Sequence, residues 1–204
     1  MRKETQELLK PEDAIQLLKD GNRRFLDDNL IKRNHNHKML ETSKQGQYPF
    51  AVILSCIDSR VPTNLAFDQS IGDLFNIKIA GNIINTDILG SMEYSCDVVG
   101  SKLIVVLSHT QCGAITAACK GKGANDPNLS TLLSKITPSI VRAKSKTTAL
   151  EDTDLIEEVA LENVKESIAI IRKNSSILKE MEDSGALKIV GASYDISNGM
   201  VTFH

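Results

Sequence analysis

Phe50-Ala51-Val52-Ile53-Leu54-Ser55-Cys56-Ile57-Asp58-Ser59-Arg60 is an apolar run that ends abruptly in a cluster of reactive side chains. The pattern returns at Leu103-Ile104-Val105-Val106-Leu107-Ser108, which leads into His109-Thr110-Gln111-Cys112-Gly113. Short continuous apolar runs of this kind read as buried strands. In an open α/β sheet, sites form just beyond the carboxyl ends of such strands. Cys56, His109 and Cys112 are soft-to-borderline donors that match zinc, one ion per chain. A structural zinc wants a fourth Cys or His, which neither segment offers, so the set leaves an open, catalytic position.

Outward from these two runs the chain alternates. Phe50–Ser55, Leu74–Ala80, Lys102–Ser108 and Ala186–Ala192 read as strands, and Pro62–Asp68, Asp87–Val99 and Cys112–Lys120 read as helices. That order predicts an α/β fold with a mainly parallel central sheet flanked by helices. Residues 128–144 and 153–183 form a helix-rich block, with Ile156, Val159, Ala160, Val164, Ile168 and Ile171 at helical spacing. Its acidic residues Glu151, Asp152, Glu157 and Glu158 read as solvated surface. Pro11–Leu30 carries Ala14, Leu17, Leu18, Phe25 and Leu26 on one stripe and forms an N-terminal helical arm; residues 32–48 read as a polar connection with a short helical turn. The Asn198-Gly199 pair signals a hairpin that adds Val201–Phe203 as an antiparallel edge strand. The expectation is one domain over 1–204, with an arm and connection over 1–48 and an α/β core over 49–204.

Composition narrows the function classes. A chain of 204 residues with 41% hydrophobic content and a net charge of -2 gives no electrostatic case for nucleic acid or an anionic membrane. Met1–Glu7 has no apolar signal region, and no stretch nears the roughly 18 apolar residues of a membrane span. A cytoplasmic protein is expected. In that setting the four cysteines favour metal binding or burial over disulfides. Cys96 and Cys119, among small and apolar residues, read as buried thiols. His35 and His37 read as loop residues. Gly121-Lys122-Gly123 lacks Walker spacing, and Gly72, Gly81 and Gly90 make no dinucleotide fingerprint, so all read as turns.

The chemistry of the two segments is coherent. If Gly113 opens a helix, Cys112 lies at its N-terminus, where the dipole favours a thiolate. Two thiolates cancel the charge of zinc, leaving a weaker Lewis acid than a three-His site and one that needs help from neighbouring groups. Read as an extended segment, 56–60 puts Asp58 and Arg60 on the side of Cys56, where carboxylate and guanidinium pair. Pairing keeps Asp58 ionised and able only to accept hydrogen bonds. The alternative is that Asp58 itself binds zinc and closes a structural site.

The pairing of Cys-x-Asp-Ser-Arg with His-x-x-Cys-Gly resembles the β-class carbonic anhydrases, strongly over Pro11 to Lys120 and more loosely beyond. The resemblance implies zinc ligands Cys56, His109 and Cys112, an orienting dyad Asp58–Arg60, a substrate contact from Gln47 in Gly46-Gln47-Tyr48-Pro49, a backbone N–H from Gly113, and pocket walls from Phe75 and Tyr94, some supplied across a dimer interface. It implies reversible hydration of carbon dioxide to bicarbonate and a proton through zinc-bound hydroxide, by a homodimer or higher even-numbered homo-oligomer. Departures from the family pattern are Ile57 for Ser, Ala80 for Val, Lys78 for Arg and, most telling, Ile53, where the bicarbonate-regulated branch has Trp. These point to the plant-like, unregulated branch. A carbon disulfide or carbonyl sulfide hydrolase and a non-catalytic zinc-stabilised binding module remain as alternatives. A thiol-redox enzyme is disfavoured, since Cys56 and Cys112 form no C-x-x-C pair.

Overall fold

Alternation of side chains along a strand decides which residues face which layer, and here it sorts the core into two halves. Ala51, Ile53, Leu103, Val105 and Leu107 pack in one cluster, and Val52, Leu54, Ile104 and Val106 in another. The computed structural model describes residues 1–122, 125–146 and 152–204. The strands are β1 (Ala51–Ser55), β2 (Leu74–Lys78), β3 (Leu103–His109), β4 (Lys188–Tyr194) and β5 (Val201–Phe203). They form one sheet in the order β2-β1-β3-β4-β5. The first four are mutually parallel and β5 is antiparallel to β4. β1 and β3 are buried along their whole length, which is why both read as unbroken apolar runs.

The helices are α1 (Lys3–Leu8), α2 (Pro11–Leu26), α3 (His35–Gln45), α4 (Thr63–Ala66), α5 (Thr86–Glu93), α6 (Gly113–Cys119), α7 (Pro127–Ser134), α8 (Thr137–Lys146), α9 (Asp152–Asn174) and α10 (Ser176–Asp183). Ala14 and Leu18 of α2 and Ala66 of α4 cover the first sheet face. Ile88 and Met92 of α5, Val164 and Ile171 of α9 and Leu178 of α10 cover the second. Each fully buried Ile or Leu in these layers contributes about 1.5–3 kcal/mol. Among the described residues no helix is long and apolar enough to cross a membrane.

Local chemistry accounts for the departures from the sequence reading. Residues 35–45 are a helix and not a connection, because Asn34 caps the segment by accepting the His37 N–H at 3.0 Å. No residue of α3 is buried, so no apolar stripe announced it. The short α1 was not anticipated either. The helix expected over Asp87–Val99 starts at Thr86, capped by Asn85, and widens into a π-turn over Tyr94–Val98. There the Ser95 hydroxyl donates to the Ser91 carbonyl at 2.6 Å. The strand expected to reach Ala80 stops at Lys78, since Gly81 turns the chain with φ 67°. The hairpin forms where Asn-Gly placed it: Gly199 has φ 83°, and the Asp195 N–H reaches the Met200 carbonyl at 2.9 Å. Gly123 and Glu151 lie outside the described residues.

Candidate metal centre

β1 and β3 are neighbours, yet β1 is followed in sequence by β2 on its other side. The order of the chain reverses between them, and a crevice opens at their carboxyl ends. Cys56 is the first residue beyond β1, His109 is the last residue of β3, and Cys112 immediately precedes α6. All three are buried, and their donor atoms lie within 4.8 Å of one another. The two Sγ atoms are 3.9 Å apart; tetrahedral zinc with bonds of about 2.3 Å sets two sulfurs about 3.8 Å apart. His109 Nδ1 lies 2.9 Å from the Thr110 carbonyl oxygen, so that nitrogen carries the proton and Nε2 presents a lone pair. Nε2 is buried with no hydrogen-bond partner among the described residues. An orphaned buried acceptor costs about 1–3 kcal/mol, and a metal ion removes that penalty. The donor set therefore fits zinc.

The two thiols share their protons unequally. The Cys112 S–H donates to Cys56 and holds its thiol down to about 4, helped by the Gly81 N–H and opposed by burial. Cys112 is pushed upward by that same contact and by burial, while the N–H groups of Ile115 and Ala114 pull the other way. One negative charge is thus already favoured in the pair, and metal binding displaces the second proton.

Asp58 is turned toward Arg60. Arg60 Nε donates to Oδ1 at 3.0 Å and Nη2 to Oδ2 at 2.7 Å, while the Arg60 backbone N–H adds a bond to Oδ1 at 2.9 Å. The segment is a tight turn and not the extended stretch expected: the Val61 N–H bonds the Asp58 carbonyl in a β-turn, and the Arg60 N–H bond to the Asp58 side chain makes an Asx turn, so a turn, and not strand alternation, brings the two side chains together. The Arg60 bonds outweigh burial and hold the Asp58 carboxyl below the usual carboxylate range. Asp58 Oδ2 stands 3.9 Å from His109 Nε2.

With this geometry in place, comparison with known proteins decides the family. A family model described as "Carbonic anhydrase" matches residues 51–201. Carbonic anhydrase 2 of Mycobacterium tuberculosis is 34% identical over 194 residues, covering 93% of this chain and 90% of that protein. The solved β-carbonic anhydrase CcaA superposes with a TM-score of 0.76 at 26% identity, over 93% of this chain and 94% of that one. The chain belongs to the β-class carbonic anhydrases. A tetrameric β-carbonic anhydrase from Sordaria macrospora shares the fold, with a TM-score of 0.73 at 24% identity over 82% of this chain and 86% of that one. Enzymes of this family are carbonate dehydratases, a class of lyase.

The remaining β-class positions do not all gather at the centre. Gly113 begins α6 beside Cys112, and a Cβ added there would meet nothing within 4 Å. Gln47 and the half-exposed Tyr94 line a different cavity of about 460 Å³, shared with Gln6, Val98, Gly100 and Lys102 at the amino ends of the strands. Phe75 lies near the amino end of β2, paired with Val52. Gln47 and Phe75 thus lie toward the amino ends of β1 and β2, whereas Cys56 and His109 lie at the carboxyl ends of β1 and β3.

Two neighbours of the centre escaped the sequence reading. Gly81, read only as a turn, points its N–H at Cys56 Sγ across 3.4 Å, and its carbonyl accepts from Asn163 Nδ2 of α9 at 2.8 Å. Glu157, read as solvated surface, accepts the Gln111 N–H at 2.9 Å. A glycine after a strand carries some signal; an acidic residue far along the chain carries none.

Proposed function

We propose that the chain, acting as one domain, hydrates carbon dioxide reversibly to bicarbonate and a proton, with one zinc ion held by Cys56, His109 and Cys112. The observation that carries this reading is the buried His109 Nε2, unpartnered among the described residues and facing two thiol sulfurs, while the Asp58 carboxylate is drawn aside by Arg60. Three protein donors and a withdrawn carboxylate leave a fourth position for small molecules, as a catalytic zinc requires. When bound, zinc would supply Lewis acidity that activates water. The residues of the chain do the rest. Asp58, kept ionised, can only accept; it takes the O–H of the attacking oxygen and so leaves a lone pair free for the carbon. Arg60 holds Asp58 off the metal and fixes its direction. The Gly113 N–H and, from a second copy of the chain in a homodimer or higher even-numbered homo-oligomer, the Gln47 amide are the proposed hydrogen-bond donors to substrate oxygen, with Phe75 and Tyr94 as pocket walls across that interface.

The unregulated, plant-like branch is part of the same proposal. Ile53 is fully buried in the core and offers no donor. Lys78 Nζ is spent on the Val61 carbonyl at 2.9 Å, and burial pushes its pKa down against the pull of Cys56 and Asp58. Both features give poor support to an anion at this place. Stopped-flow hydration of carbon dioxide, run with metal analysis on the same sample, tests the function. Zinc-loaded protein without hydratase activity refutes it.

A further inference from the structure

The metal centre depends on a two-residue connection, Thr110 and Gln111, between the His109 and Cys112 donors. Thr110 is fastened to the sheet: its N–H donates to the Tyr194 carbonyl at 3.0 Å, and its hydroxyl oxygen accepts the Ile196 N–H at 3.0 Å. Gln111 is the weak point. It is exposed and has φ 53°, in the left-handed region where a residue with a side chain is not at rest. Something must hold it there, because its backbone angles set how far Cys112 lies from His109.

Two contacts do so. The Gln111 carbonyl faces Arg60 Nη2 at 3.5 Å, and the Gln111 N–H donates to Glu157 Oε1 at 2.9 Å. The second is a hydrogen bond to a charged acceptor, the stronger kind. Glu157 is itself well anchored. On the same helix, Val159 and Ala160 pack in the cluster that contains Cys56 and Cys112, and Asn163 holds the carbonyl of Gly81, whose N–H meets Cys56. Helix α9 thus braces both halves of the donor set, the Cys56 half through Asn163 and the His109–Cys112 half through Glu157.

We infer that Glu157 is a positioning residue of the metal centre, which fixes the Gln111 turn and through it both the Cys112 donor and the Arg60 guanidinium. It touches neither metal nor substrate; it acts through one backbone amide. The inference rests on the proposed zinc-dependent hydration, and it separates reach from charge. Glu157→Gln keeps an acceptor oxygen at the same distance without the charge. Glu157→Asp keeps the charge but is one methylene too short.

The test uses the zinc-loaded protein and the variants E157Q, E157D and E157A. Zinc release to a chromogenic chelator, kcat and KM for carbon dioxide hydration, and the melting temperature are measured for each. Residues that orient metal ligands typically change affinity or activity by about 10–100-fold. E157A and E157D should release zinc about tenfold faster, with kcat lowered about tenfold and KM little changed, and E157Q should stay within about threefold of the parent. Release and kcat within twofold of the parent in both E157A and E157D would overturn the inference, as would a full loss in E157Q with E157D intact. A parent protein that binds zinc without hydrating carbon dioxide refutes the proposed function, and the zinc-release measurements still decide the role of Glu157.

Discussion

Two glycines flank the same metal centre, and replacing each by alanine should have opposite effects. Gly81 has φ 67°, where a residue with a Cβ is disfavoured by about 1–2 kcal/mol. The added methyl carbon would also sit 2.9 Å from Ile136 Cδ1. Ile136 is fully buried, so its side chain has little room to give, and overpacking of this kind costs about 1–3 kcal/mol. Gly81→Ala should therefore lose about 2–5 kcal/mol in all. At about 2–4 °C per kcal/mol for a chain of this size, the melting temperature should fall by about 4–20 °C. The shift would also disturb the Gly81 N–H contact with Cys56 Sγ, so zinc should leave faster. Gly113 is the control: its φ is not in the left-handed region and a Cβ there meets nothing within 4 Å. Gly113→Ala should be neutral or stabilising by up to about 1 kcal/mol, by restricting the unfolded chain. Differential scanning calorimetry at matched zinc occupancy measures both. A Gly81→Ala protein melting within about 1 °C of the parent, or a Gly113→Ala protein falling as far as Gly81→Ala, would refute this account of the turn.

Cys112→Ser should lose most of its zinc, as read by metal analysis of the purified protein, and full retention would remove Cys112 from the ligand set. Arg60→Ala should lower kcat/KM far more than zinc content, because it removes both side-chain bonds that hold Asp58 aside; equal losses of metal and activity would assign Arg60 a merely structural role. Added bicarbonate should give ordinary hyperbolic product inhibition, and a steep cooperative loss of activity would place the chain in the regulated branch. Asp68 is buried and bonded to Arg24, Arg33 and the Ile31 N–H. Burial works to raise its pKa, but these partners more than offset it and the net shift is downward. A carboxyl lowered in the folded state stabilises the fold above its unfolded pKa, about 4, and that contribution disappears as pH falls through the folded value. Asp68→Asn should cost about 3–5 kcal/mol at pH 7 and flatten the acid limb of the stability curve; an unchanged limb measured by denaturant titration would count against the cluster.

What could be read from the sequence depended on whether the signal was local. Val52, Ile53 and Leu54 announced a doubly covered strand because both of its faces are buried, and the step from Ser55 to Cys56 marked its end. The Asn198-Gly199 hairpin was equally local, since only a few residues tolerate those backbone angles. Asn34 capping α3 was local too, but it competes with no apolar stripe, and a solvated helix resembles a loop when hydrophobic periodicity is the guide. The contacts that brace the centre are different in kind. Asn163 meets Gly81 and Glu157 meets Gln111 only because α9 crosses the carboxyl ends of β1 and β3, and no spacing within either segment encodes that meeting. The Asp58–Arg60 pair was visible for a reason other than the one supplied: the residues are close in sequence, and a turn, not a strand, joins them.

The placement of Gln47 bears on oligomeric state. Gln47 precedes β1, whereas Cys56 follows it, and the five residues of the strand at about 3.3 Å each separate the two ends of the sheet by about 17 Å. A glutamine side chain cannot span that gap, so Gln47 has no path to the metal donors of its own chain. Its amide can serve the reaction only at the centre of a second copy. A two-fold axis running across the strands provides such an arrangement, because it reverses strand direction and sets the amino end of one sheet beside the carboxyl end of the other. The exposed apolar residues Tyr94 and Val98, which share the cavity of Gln47, then gain a surface to pack against. If Gln47 acts on substrate, dissociation should abolish activity in step with dimer loss. Sedimentation and hydration assays over the same dilution series measure the two together, and a fully active monomer would remove Gln47 from the site.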